Sequence, residues 1–172
     1  MPEPSFDFAK WRERVLDIRD PKTHGESLEF CRLVESAAGM HDIEVARTLF
    51  NTFTDKPDSG VKEAVIRVLA SFDLKTYYRA YLEELPRLAP ATRKQRWYEL
   101  LAAYPGTESM GQRECDEILS IVQGMPVENR RAYLNVIRRE DFLLHHDWAA
   151  YVVPRVRVET RHGEREGDSD AE

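Results

Sequence analysis

Only two cysteines occur among the 172 residues, and no apolar run approaches the eighteen or so residues of a membrane-spanning helix. Neither a disulfide framework nor a helical membrane anchor is therefore expected. Cys31 and Cys115 each sit among apolar residues in helical stretches, where a free thiol packs as a small hydrophobe. A bridge between them is open in principle but would be unusual in a chain that reads as intracellular. Glycine is also sparse: the eight glycines fall singly at the ends of periodic segments, with no phosphate-cradling loop and no Gly-x-Ser-x-Gly elbow. A surplus of positive charge is missing as well. With 25 Lys and Arg against 31 Asp and Glu, the net charge is −6, which argues against generic nucleic-acid binding and makes a basic partner easier to accommodate. The start Met1-Pro2-Glu3-Pro4-Ser5 has no basic residue ahead of an apolar run, so no secretory signal is read there, and a cytoplasmic location is expected.

Helical periodicity fills most of the chain. A first segment follows Ser5 as N-cap, with Trp11, Val15 and Ile18 on one face, and stops at Asp20-Pro21. A second opens on Thr23 and Glu26, at capping-box spacing, and ends at Gly39. A third runs from Asp42 through Ile43, Ala46, Phe50 and Phe53 into the turn Asp55 to Gly60. The fourth shows the cleanest stripe, Val61, Ala64, Val65, Val68, Leu69 and Phe72. A fifth carries Leu74, Tyr77, Tyr78, Tyr81, Leu82 and Leu85, and is expected to be interrupted by Pro86 and Pro90. Thr92 with Gln95, and Ser109 with Gln112, repeat the capping-box spacing and open a sixth and a seventh segment, the latter ending at Gly124. The eighth holds Tyr133, Val136 and Ile137, and a short terminal helix is expected around Phe142 to Val152.

The expected fold is all-α, with about eight or nine helices. Segments three, five and seven begin near residues 42, 74 and 109, a spacing that suits stacked antiparallel helix pairs in a short α-solenoid better than a compact bundle, which would give similar periodicity. One domain spans 1–153. Residues 154–172 alternate charge with Gly163 and Gly167 and read as a disordered tail, although Val156 and Val158 could form a short extended piece.

Residues for chemistry are few. His145-His146-Asp147 offers three metal ligands in a row, but helical neighbours point about 100° apart and cannot converge on one ion unaided, so no metal or other cofactor is expected. Arg87, Arg93, Lys94 and Arg96 lie beside Trp97 and Tyr98, with Tyr77, Tyr78 and Arg79 one helix earlier, a mixture that can hold phosphates and stack bases. These aromatics share stripes with leucines, which favours core. Arg130, Arg131, Arg138 and Arg139 form a further basic stretch. Acidic residues are placed more systematically: Glu26, Glu29, Glu35, Asp42 and Glu44 have only Arg32 among them, and Asp55 and Asp58 share one turn. Helix N-terminal charge and solvated faces account for most such residues. Together they could steer a basic protein into place.

Leu49-Phe50-Asn51-Thr52-Phe53-Thr54-Asp55, Gly60-Val61-Lys62-Glu63-Ala64-Val65, Leu69-Ala70-Ser71-Phe72 and the run Tyr77 to Leu88 together resemble bacterial immunity proteins of polymorphic, contact-dependent toxin systems that have a HEAT-like helical build. The resemblance spans roughly residues 42 to 145 and rests on packing motifs. It implies a HEAT-like repeat fold and a protein that is not an enzyme. Such a protein binds a cognate toxin domain, here a basic nuclease-type effector, and occludes its active site. On that reading Glu26, Glu29, Asp42, Glu44, Asp55 and Asp58 contribute to the toxin-facing surface, and neither nucleic acid nor membrane is a partner. The alternatives are a general helical-repeat interaction scaffold and a DNA-acting protein resembling HEAT-like alkylpurine glycosylases.

Overall fold

The computed structural model describes residues 6–57, 60–104 and 110–158. Ser5, Asp58, the Pro105-Gly106 stop, Ser109 and the expected tail from residue 159 onward lie outside the described residues. Among the described residues there are ten α-helices and no strand: α1 (Phe8–Asp17), α2 (His24–Glu35), α3 (Ile43–Phe50), α4 (Lys62–Leu69), α5 (Leu74–Ala91), α6 (Trp97–Leu100), α7 (Gln112–Gln123), α8 (Val127–Ile137), α9 (Glu140–His145) and α10 (Asp147–Val152). A 3-10 turn, Val153–Arg155, follows α10. The count exceeds the expected eight or nine because the terminal apolar stretch divides at His146 into two short helices.

Local chemistry sets the helix starts. The side chains of Asp7, Thr23, Asp42 and Asp73 each accept from an amide in the first turn, those of Lys10, Glu26, Glu44 and Thr76. Each cap is worth about 1 kcal/mol. Gly60, ahead of α4, takes φ +87°, a left-handed conformation that carries no penalty without a Cβ.

Two sequence expectations fail, each for a physical reason. Pro86 and Pro90 do not interrupt α5, which runs unbroken for 18 residues. Proline at 86 lacks the amide that would donate to the Leu82 carbonyl one turn earlier. The buried side chain of Asn129 on α8 donates to that carbonyl instead, at 2.7 Å. Thr92 does not open a long sixth helix either. It is the C-cap of α5, its hydroxyl donating to the Leu88 carbonyl at 2.9 Å, and the amides of Lys94 and Gln95 donate to Asp55 from the α3–α4 turn. Only the four residues of α6 are helical there, entered through Arg96 in a left-handed conformation at φ 57°.

Alternate helices pack together: α1 on α3, α3 on α5 and α5 on α7, with α2 on α4 and α6 on α8. The long α5 also packs on α8, and α10 closes against α7. The core is aromatic. Phe30, Phe50, Phe53, Tyr77, Tyr78, Tyr81 and Tyr133 are fully buried, with Phe50 edge-on to Tyr77 at 5.2 Å and Tyr77 edge-on to Tyr104 at 5.0 Å. Such pairs add about 0.5–1.5 kcal/mol each beyond simple burial. The core continues past Val153: Val156 is buried and Val158 half-buried against it.

Candidate functional site

The acidic residues singled out from the sequence are all occupied by local work where they can be seen. Glu26 on α2 accepts from the Lys22 amide at 2.6 Å, closing the helix start from the opposite side to Thr23. Glu29 binds Arg14 of α1 through both oxygens, at 2.6 and 2.8 Å. That pairing lowers the Glu29 carboxyl below its ordinary range and raises Arg14. Asp42 caps α3, and Glu44 pairs with Arg47 at 2.9 Å. Asp55 accepts the Lys94 and Gln95 amides at 2.7 and 3.2 Å, fastening the turn after α3 to the turn after α5.

These acids do not form one patch. Asp42 and Glu44 stand at the start of the eight-residue α3 and Asp55 beyond its end, so helical rise alone separates them by about 12 Å. The α1–α2 turn meets the α3–α4 turn through Asp20. That carboxylate accepts from the Thr54 hydroxyl at 2.6 Å and pairs with Lys56 at 3.3 Å. Burial pushes Asp20 up, but the hydrogen bonds from Thr54 and Lys56 outweigh it and hold the group below its usual value.

Two buried charged residues escaped the sequence reading. Lys62, at the start of α4, is 3% exposed and donates to the carbonyls of Arg19 at 2.7 Å and Thr52 at 2.5 Å. Its ammonium lies 5.4 Å from the centre of the Phe30 ring and 5.9 Å from that of Phe53, so aromatic faces take part of the role of water. It ties together the ends of α1, α3 and α4. A shallow cleft of about 330 Å³ opens beside it, lined by Arg19, Asp20, Lys22, Lys56 and Pro57. Lys62, Val65 and Leu69 share one face at i, i+3 and i+7, which is the only hint in the sequence that this lysine points inward.

Glu84 on α5 is the second. It accepts from Arg47 Nε at 2.8 Å, Asn51 Nδ2 at 2.9 Å and Arg87 Nε at 3.2 Å, while Arg87 also donates to the Phe50 carbonyl at 3.1 Å. Burial raises its pKa, yet the three donors prevail and the carboxyl titrates below its ordinary value. This network joins α3 to α5.

The mixed aromatic and basic stretch is structural. Tyr77, Tyr78 and Tyr81 are buried and donate to the carbonyls of Leu101, Ala102 and Tyr98, so their rings are not surfaces for stacking bases. Burial drives the Tyr77 and Tyr81 phenols well above their usual range, which keeps them neutral donors. Arg96 and Arg139 form a charged lattice with Glu99 and Asp141: Arg96 pairs with Glu99 and, at 2.9 Å, with Asp141, and Arg139 reaches Glu99 at 3.0 Å. The two guanidiniums hold Asp141 down to about 2. His145 is exposed, and His146 leans on Phe142 with ring centres 4.4 Å apart, where burial lowers its pKa. Among the described residues no group of three or more His, Cys, Asp or Glu side chains is placed to hold a metal ion. Both cysteines are free thiols, Cys115 buried and Cys31 half-buried. Among the described residues, no helix is long and apolar enough to cross a membrane.

No family model, curated protein or solved structure matches the chain. The described surface consists of helix faces, interhelix turns and shallow clefts.

Proposed function

We propose that this chain is an immunity protein that binds a cognate protein toxin, a basic nuclease-type effector, and covers its active site without chemistry of its own. The observation that carries the reading is the alternation of packing, with α1, α3, α5 and α7 in one succession and α2 packed on α4 beside it. This succession is what stacked HEAT-like pairs produce, and it supports the resemblance in the residues from Leu49 to Leu88. The internal fasteners at Lys62 and Glu84 stiffen such a stack, and a preorganised surface loses less entropy on binding.

In this reading the acids of α2 and α3 steer the toxin. The caps at Glu26, Asp42 and Asp55 fix where that charge sits, while Glu29 and Glu44 are offset by Arg14 and Arg47. An interface of roughly 1,600 Å² is typical of such a pair. The direct test is co-expression, in the cytoplasm of a bacterial host, with the toxin domain encoded by the neighbouring gene. Cells survive with this chain and die without it; equal killing in both cultures rejects the proposal for that pair. Charge reversal at Glu26, Asp42, Glu44 and Asp55 together slows association at low salt and has little effect at high salt.

A further inference from the structure

In a chain with a net charge of −6, arginines gather at one place on the surface, around the segment that follows α10. On α8, Arg131, Asn135 and Arg138 are exposed and fall at i, i+4 and i+7 on one face, with the two arginines about 10 Å apart along the axis. Beside that face lie residues 156–158, held by side chains: Gln123 donates to the Arg155 carbonyl at 2.9 Å and Arg130 to the Arg157 carbonyl at 2.8 Å. Arg155 folds back over the Tyr151 ring at 3.8 Å, and Arg157 is exposed. Two shallow clefts flank the segment. One, of about 420 Å³, is lined by Arg131, Leu134, Asn135, Arg138, Val156 and Val158. The other, of about 670 Å³, is lined by Leu119, Gln123, Pro154, Arg155 and Arg157.

The described residues leave this charge without an acid partner at ion-pair distance. Among the described residues no carboxylate oxygen lies within 4.0 Å of the guanidinium of Arg130, Arg131, Arg138, Arg155 or Arg157, and the guanidiniums of Arg131, Arg138 and Arg157 make no hydrogen bond. Arg14, Arg47, Arg96 and Arg139 elsewhere are paired with acids, whereas Arg12, Arg32, Arg93 and Arg113 have no acid partner among the described residues. Surface arginine is the side chain best matched to carboxylate, which it grips through two parallel hydrogen bonds.

We infer that this surface docks an acidic segment of a partner protein, one that alternates carboxylates with small apolar side chains. The arginines provide the complementary charge, and the half-buried Val158 and Leu119 provide apolar surface beside them. Nucleic acid fits less well. The Tyr151 ring is already covered by Arg155, and the chain as a whole repels a long polyanion. The inference is independent of the toxin reading, because the toxin proposed there is basic and this partner is acidic.

Fluorescence anisotropy on the full chain tests it, with a short labelled peptide alternating Glu and Val as probe and a single-stranded DNA of equal charge as comparison. The peptide should bind in a salt-dependent way, and the double variant R131E/R138E should weaken it about tenfold or more. The exposed pair R12E/R32E makes the same change in net charge elsewhere and should leave binding within about twofold. Both variants should keep the wild-type melting curve, since neither position is buried. Four results overturn the inference: no peptide binding, equal loss in both double variants, DNA bound in preference to peptide, or peptide bound only once residues 159–172 are removed. That last result would assign the surface to the acids of the chain's own terminus, Glu159, Glu164, Glu166, Asp168, Asp170 and Glu172.

Discussion

Replacing Asn129 with leucine tests how α5 survives an internal proline. The substitution nearly preserves volume but removes the donor that lies 2.7 Å from the Leu82 carbonyl. Leu82 is fully buried and Asn129 is 8% exposed, so water does not reach the abandoned oxygen easily. Leaving a buried acceptor unsatisfied costs about 1–3 kcal/mol. At roughly 2–4 °C per kcal/mol for a domain of this size, a loss of about 2 kcal/mol lowers the melting temperature by about 4–8 °C. Urea unfolding followed by circular dichroism gives the free energy directly. The decisive variant is P86A, which restores an amide able to donate to the same carbonyl. In that background N129L should cost less than about 1 kcal/mol, giving a coupling of about 1–2 kcal/mol between residues on different helices. If the two substitutions add to within about 0.3 kcal/mol, Asn129 is not replacing the missing amide and the explanation is wrong.

Lys62→Met keeps the aliphatic stem but removes the donor to the Arg19 and Thr52 carbonyls; the loss is about 2 kcal/mol, measured by thermal melting, and an unchanged midpoint would show that these carbonyls find other donors. Glu84 makes stability depend on acid. Its folded-state pKa lies below the ordinary 4.5, so its contribution is complete above that value and is lost as pH falls through the folded-state one. E84Q should therefore cost about 1–2 kcal/mol at pH 7, discounted because Arg47 and Arg87 are over a third exposed, and should flatten the decline of stability toward pH 3; parallel wild-type and E84Q curves across that range would exclude Glu84 as a source of the decline.

What the sequence disclosed was local. Thr23 and Asp42 cap helices through amides two or three residues away, and the stripe from Val61 to Phe72 needs only helical periodicity, so both could be read along the chain. The course of α5 through Pro86 was hidden, because its compensating donor is distant in sequence. Thr92 misled for a related reason. It has the same local spacing as Thr23, but Asp55, arriving from another turn, captures the amides of Lys94 and Gln95 and leaves the hydroxyl to close the preceding helix. Lys62 and Glu84 look like ordinary solvated charges in a strongly charged chain. Only the packing of three helix ends around one, and of three donors around the other, reveals them. Of the acids proposed to face a partner, Glu26, Asp42 and Asp55 turned out to satisfy backbone amides, a role that periodic patterns cannot separate from steering charge.

The dependence of Leu82 on Asn129 also matters for how the chain is made. The helix containing Pro86 is synthesised well before the residue that completes its hydrogen bonding, with 47 positions between acceptor and donor. At ribosomal speeds of about 5–20 residues per second, that interval lasts roughly 2–9 seconds. Through that time the nascent helix carries a gap that only water or a chaperone can fill, and rare codons placed between the two positions would prolong its exposure.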